Sequence, residues 1–144
     1  MSESWLIEVL LAIAAFMNIE WRVPAAIVEI ESGWDSAAVG ASGEIGLMQI
    51  MPREAGDCFS DRPPARLLLN PVVNLFFGCS ILRDNLRYFD GDWKMALAAY
   101  NLGIAGVEKL GIDDPAAARY LERFVDAWQY MWPGEELPWS GGGG

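Results

Sequence analysis

The chain of 144 residues contains no histidine. That absence excludes Ser-His-Asp and Cys-His catalysis, imidazole-bearing zinc sites and haem held by a proximal histidine. Cysteine is scarce as well. Cys58 and Cys79, 21 positions apart, cannot supply a four-thiolate zinc site, an iron–sulfur cluster or a C-x-x-C redox pair. Their spacing leaves open a bridge or two buried thiols; with no secretion signal visible, free thiols are favoured. Positive charge is short too. Ten Lys and Arg stand against 20 Asp and Glu, for a net −10 and a pI near 4.3. Such a surface repels phosphate and anionic lipid, so neither a nucleic-acid partner nor membrane insertion is expected. The apolar stretch from Trp5 to Met17 is too short to span a bilayer, carries Glu8, and lacks the basic flank and cleavage site of a signal peptide. No D-x-D-x-D-G calcium loop occurs, and no metal or cofactor is expected. Acid–base chemistry therefore falls mainly to the carboxylates.

What the chain does have is apolar bulk: 53% hydrophobic residues, seven Trp and a mean hydropathy of +0.18, enough for a well-filled core. The pattern is helical and punctuated. Leu6, Val9, Leu10, Ile13, Phe16 and Met17 share helical spacing behind a candidate cap at Ser4. A second helix is predicted from about Pro24 to Ser32, stopped by Gly33. Residues 35–50 are small and Gly-rich, a loop with a short β-turn or ribbon. A short helix is predicted to start at Pro52, with loop over 60–70. Asn70-Pro71 then caps a helix whose stripe is Leu75, Cys79, Leu82, Leu86 and Phe89, broken at Gly91. Asp92 caps a helix from Trp93 to Asn101. Gly103 and Gly106 permit a bend before a short helix to Leu110, and Asp114-Pro115 opens a last helix to about Met131. The prediction is a mainly α single domain over 1–139, followed by a flexible Gly-rich tail at 140–144.

One carboxylate stands apart. Glu31 ends an apolar helix in the run I-V-E-I-E-S-G-W. Glu29 lies about 200° around the helix from it, so one of the two should face inward and the other solvent. A carboxylate at the rim of an apolar pocket holds its proton more tightly, which suits a general acid for glycosidic cleavage.

Four segments then occur in order: Glu31-Ser32-Gly33-Trp34; Gly46-Leu47-Met48-Gln49-Ile50-Met51-Pro52; Ala96-Leu97-Ala98-Ala99-Tyr100-Asn101 followed by Gly103; and Tyr120 in the last helix. Asn70-Pro71, Asn74 and Gly78 form a connecting N-P-x-x-N-x-x-x-G pattern. Together, over roughly residues 6–130, they resemble the lytic transglycosylases with the goose-type lysozyme fold. The resemblance implies a lysozyme-like catalytic domain that cleaves the MurNAc-β-1,4-GlcNAc bond of peptidoglycan with closure of a 1,6-anhydro ring, Glu31 serving as acid and then base while the substrate's acetamido group replaces the usual second carboxylate. It further implies that Ser32, Met48, Gln49, Tyr100, Asn101 and Tyr120 serve the glycan strand, with Trp34 a candidate for stacking on a sugar.

The sequence departs from the family pattern N-P-x-A-x-S-x-x-G-A-x-G-L-M-Q. Asp35-Ser36 replaces N-P, Gly40 replaces the Ser and Glu44 replaces an Ala. Glu44, or Asp35, is thereby a candidate second carboxylate that positions a water, which requires a separation of roughly 6.5–9.5 Å from the acid. A hydrolytic goose-type lysozyme and a catalytically silent glycan-binding or assembly domain are the alternatives. The expected place of action is the bacterial cell wall, as a monomer. The missing signal peptide suits a phage enzyme or a domain trimmed from a bacterial protein, and the acidic charge implies delivery by a larger cell-wall or virion protein.

Overall fold

A computed structural model describes residues 4–54, 57 and 60–140. Among the described residues seven helices follow one another: α1 Ser4–Met17, α2 Arg22–Glu31, α3 Ala65–Leu68, α4 Pro71–Tyr88, α5 Trp93–Leu102, α6 Ile104–Leu110 and α7 Pro115–Met131. The chain divides into two compact units, Met1–Cys79 and Ser80–Gly144, with the boundary inside α4. No described helix is long and apolar enough to cross a membrane.

In the first unit α1 packs on α2. Leu6, Leu10, Ala14 and Met17 are the buried positions of α1, the i, i+4, i+8, i+11 series of a one-faced helix. α2 begins two residues before the predicted Pro24, which leaves the proline in the first turn, where its missing N–H is no loss. Between α2 and α3 runs the small ribbon expected at 35–50. It consists of the antiparallel bridges Val39–Ile45 and Ile45–Ile50 rather than full strands.

Residues 52–54, where a short helix is predicted to start, are not helical, and 55, 56, 58 and 59 lie outside the described residues. Arg53 N–H donates to Pro63 C=O at 2.9 Å, and the Arg62 guanidinium donates to Met51 C=O at 3.2 Å. The Met51 C=O, which a helix starting at Pro52 would pair locally, is thereby taken up from a distance. Conversely, the predicted loop at 60–70 contains the single turn α3. Cys58 lies outside the described residues; Cys79 is a free, buried thiol.

In the second unit the predicted caps form. Asp92 accepts Met95 N–H at 3.2 Å and Asp114 accepts Ala116 N–H at 3.0 Å. At the start of α4, Asn70 likewise accepts Val72 N–H at 2.9 Å. Gly103 takes the bend at φ +77, but Gly106 lies inside α6. The core gathers Ala98, Ala99, Val107 and Ala117, with Phe89, Met95 and Leu102 packed against them. α7 carries its buried stripe on Ala117, Tyr120, Phe124, Ala127 and Trp128. Trp139 folds back with its ring 5.8 Å from that of Phe124. Of the predicted tail, Ser140 closes a turn onto Leu137 C=O, and 141–144 lie outside the described residues.

Candidate active site

Glu31 is the last residue of α2. The residues from Val23 to Val28 are all buried, so the helix is surrounded by apolar packing until its final turn. Carboxylates appear only there. Glu29 and Glu31 are both half-buried. The helix stops where Gly33 turns left-handed (φ +59) and returns its N–H to Glu29 C=O at 3.2 Å and Val28 C=O at 3.1 Å. Trp34 is left-handed as well, at φ +68, which costs a side-chain-bearing residue roughly 1–2 kcal/mol. Its indole N–H donates to the Glu29 carboxylate at 2.9 Å. Ser32 donates its hydroxyl to Leu47 C=O at 2.7 Å, with Val28 C=O a longer alternative at 3.3 Å. The serine therefore joins the end of α2 to the G-L-M-Q turn.

That turn is a four-residue loop, 46–49, closed by reciprocal bonds between Ile45 and Ile50 at 2.9 and 3.0 Å. Its conformation is held from below by Asn74 of α4, which is fully buried. Asn74 Oδ1 accepts Met48 N–H at 2.8 Å, and Nδ2 donates to Ile45 C=O at 2.8 Å and Leu68 C=O at 2.9 Å. Two glycines make room for this contact. A Cβ on Gly46 would meet Asn74 Nδ2 at 2.3 Å, and one on Gly78 would meet Met48 Sδ at 2.2 Å. The sequence offers Asn74 and Gly78 only as parts of a spacing pattern; their role as strut and socket needs the fold.

The predicted loop residues are placed as follows. Met48 is fully buried, with its thioether against Gly78. Gln49 is half-buried at φ +50, and its amide donates to Gly46 C=O at 3.0 Å and Ala38 C=O at 3.2 Å. Asp35 opens the loop with a local turn, accepting Ala37 N–H at 2.9 Å. Glu44 lies in the ribbon with Oε1 buried and without a hydrogen-bond partner. A Cβ on Gly40 would stand 2.6 Å from Glu44 Oε2 and 2.7 Å from Gln49 Oε1. The two departures from the family pattern are thus one steric exchange: the Glu44 carboxylate occupies the space that a side chain at position 40 would need.

The second unit carries the other predicted residues. Tyr100, half-buried, and Asn101, exposed, lie in the last turn of α5. Tyr120 is 3% exposed on the buried stripe of α7, and α5 packs against α7. Glu31, Ser32, Met48, Gln49 and Glu44 therefore belong to one unit, and Tyr100, Asn101 and Tyr120 to helices in mutual contact in the other. A cleft of about 440 Å³ along α7, lined by Lys94, Leu121, Val125, Leu137 and Trp139 among others, includes none of them. Among the described residues no three acidic or cysteine side chains converge as a metal ion would require.

Burial pushes the Cys79 thiol up to about 12, which makes it inert at neutral pH. The Tyr88 phenol is raised because it donates to Glu108 at 2.6 Å.

Comparison with known proteins follows the same lines. Residues 9–128 match the family model described as the transglycosylase SLT domain. A transglycosylase of Enterobacteria phage PRD1 is 33% identical over 92 residues, covering 64% of this chain and 32% of the relative. A membrane-bound lytic murein transglycosylase C of Actinobacillus pleuropneumoniae serotype 5b is 34% identical over 108 residues, covering 65% and 29%. The 70 kDa soluble lytic transglycosylase of Escherichia coli superposes with a TM-score of 0.63 at 24% identity, over 86% of this chain and 21% of that one. The lytic transglycosylase Slt of Pseudomonas aeruginosa, solved as an inactive mutant, gives 0.61 at 25%, over 86% and 22%. The chain thus spans about a third of the length of the curated relatives it matches.

Proposed function

The chain belongs to the transglycosylase SLT domain family, and from that premise we propose that it is a peptidoglycan lytic transglycosylase in which Glu31 is the sole acid and base. The carrying observation is the clamped end of α2: a half-buried glutamate ends a helix buried from Val23 to Val28, and Ser32 next to it is bonded to the G-L-M-Q turn at 2.7 Å. In this reading Glu31 gives its proton to the glycosidic oxygen as the C1–O bond of MurNAc breaks. The acetamido oxygen of the same sugar stabilises C1, the role that a second carboxylate takes in other glycosidases. Glu31, now a carboxylate, removes the proton of the muramoyl 6-hydroxyl as its oxygen bonds to C1, closing the 1,6-anhydro ring. No water is consumed and Glu31 ends protonated, ready for the next cleavage.

The other residues take roles that their placement supports. Ser32 orients the helix end rather than the sugar, because its one proton is held by Leu47. Met48 forms the buried floor of the turn, and Gln49 braces it, with its acceptor oxygen left for a donor. Tyr100, Asn101 and Tyr120 are assigned to the acetamido group and the sugar hydroxyls. Glu44 is assigned to loop packing, since one oxygen is buried and the other fills the gap over Gly40. The named relatives, one from a phage and one membrane-bound, support action at the cell wall as a module of a longer protein. As a module, residues 1–139 act as one catalytic domain and a monomer.

Digestion of purified sacculi by the parent and by Glu31→Gln, read by mass spectrometry, tests the assignment. The parent is expected to release anhydro-muropeptides. Glu31→Gln should lose at least about 100-fold in rate, the low end of what a positioned acid–base group contributes, at an unchanged melting temperature. Products uniformly heavier by one water would replace this reading with a hydrolytic lysozyme, and binding without any product would replace it with a glycan-binding module.

A further inference from the structure

We infer that Glu29 is a positioning residue for Glu31, acting through Trp34. The inference rests on the assignment of Glu31 as general acid.

Beyond Glu31 the chain takes two left-handed residues in succession. Gly33 adopts φ +59 without penalty, but Trp34 at φ +68 does not, and something must hold it there. Its side chain is tethered by the indole N–H bond to Glu29 Oε2 at 2.9 Å, which reaches back over the helix end from i+5 to i. Glu29 is otherwise poorly placed. A carboxylate in the last turn of a helix faces the partial negative charge of the unpaired carbonyls, so the macrodipole disfavours it. Its use as a charged acceptor for the indole accounts for an acid at that position.

The result is a clamp on both sides of Glu31. On the side of the ribbon, Ser32 is bonded to Leu47 C=O at 2.7 Å. On the side of the exit turn, Trp34 is bonded to Glu29. With Glu29, Ser32 and Trp34 bonded in this way, the backbone at 31 is held from both sides. Loss of the Glu29 acceptor lets Trp34 relax toward extended backbone, unwinding the Gly33 cap and displacing the acid by a fraction of a turn. The binding surface need not change, so the damage should fall on kcat rather than KM.

The experiment compares the full chain with Glu29→Ala, Glu29→Gln, Trp34→Phe and the Glu29→Ala/Trp34→Phe double variant, by kinetics on soluble glycan strands and by hydrogen exchange of the Trp34 indole N–H. Glu29→Ala and Trp34→Phe should each lower kcat by about 10-fold or more with KM within about twofold, the scale on which small misplacements cost rate. The double variant should be no worse than either single, because both remove the same bond. Glu29→Gln keeps an acceptor oxygen and should retain most of the parent's kcat. The indole should be protected in the parent and in Glu29→Gln, and unprotected in Glu29→Ala. If Glu29→Ala fails to fold, Trp34→Phe against Glu29→Gln carries the decision. Single variants that keep the parent's kcat, additive losses in the double variant, or Glu29→Gln as damaged as Glu29→Ala would each overturn the inference. An unprotected indole in an active parent overturns it alone, whereas a parent that cleaves nothing overturns the assignment of Glu31 first.

Discussion

The two units hold their share of the candidate site by opposite means. In the first, the ribbon and the G-L-M-Q turn are secured by polar groups: Asn74 makes three buried bonds to three separate backbone groups, Ser32 makes one to Leu47, and Gln49 makes two within the loop. In the second, Tyr100, Asn101 and Tyr120 ride on capped helices whose contact is apolar, built on Ala98, Ala99, Val107 and Ala117. An irregular loop has backbone donors and acceptors that must be paired, and a buried amide can pair several at once. A helix has already paired its own and needs only surface to bury. The difference implies that polar-to-apolar exchange is ruinous in the first unit, while loss of volume is what damages the second.

The sharpest way to break that comparison is Asn74→Leu. It keeps the approximate size but exchanges the amide for an apolar group, and so orphans Met48 N–H, Ile45 C=O and Leu68 C=O. At about 1–3 kcal/mol for each unsatisfied group the loss should reach at least about 3 kcal/mol in urea unfolding. A variant as stable as the parent would show that the loop is held by packing after all. Phe124→Ala probes the other side: Phe124 is fully buried, and its truncation should cost about 3–4 kcal/mol in the same assay.

Gly40→Ser sharpens the first half further. A Cβ there meets Glu44 Oε2 at 2.6 Å, so the variant should lose about 1–3 kcal/mol, and Glu44→Ala in the same chain should restore most of it. Glu44→Gln, which keeps the volume, should not. The smallest effect is confined to alkaline solution. Cys79 keeps its proton in the native state up to about 12 but loses it near 9.0 when unfolded. The native state therefore binds more protons than the unfolded one between those values, and stability falls as pH rises from about 9, by at most about 1.4 kcal/mol per unit. Cys79→Ala should flatten that slope in melting curves taken from pH 8 upward.

What could be read from the sequence follows the same division. Asn70, Asp92 and Asp114 announce their helices because a cap is a contact between residues two or three apart, and the α7 stripe is a matter of spacing. The motif segments around Glu31 and Gln49 are equally visible as strings. Their wiring is not. The link from Ser32 to Leu47 spans 15 positions and that from Asn74 to Ile45 spans 29, so no local pattern contains either. The same limit explains the helix expected at Pro52. Met51 C=O, which would accept the first bond of such a helix, is taken by the Arg62 guanidinium from 11 positions away. The Glu29–Trp34 bond is an intermediate case: five positions is short enough to notice, but only the left-handed backbone of Gly33 and Trp34 brings the two side chains together.

The seating of Met48 on Gly78 has a consequence in redox chemistry. The thioether has no exposed surface, and nothing larger than hydrogen fits beneath it on α4. Peroxide can reach the sulfur only while the turn is lifted, and the sulfoxide oxygen it adds has no place to go when the turn tries to settle again. Each oxidised chain would thus carry a lasting covalent mark of a momentary opening, erased only by a sulfoxide reductase.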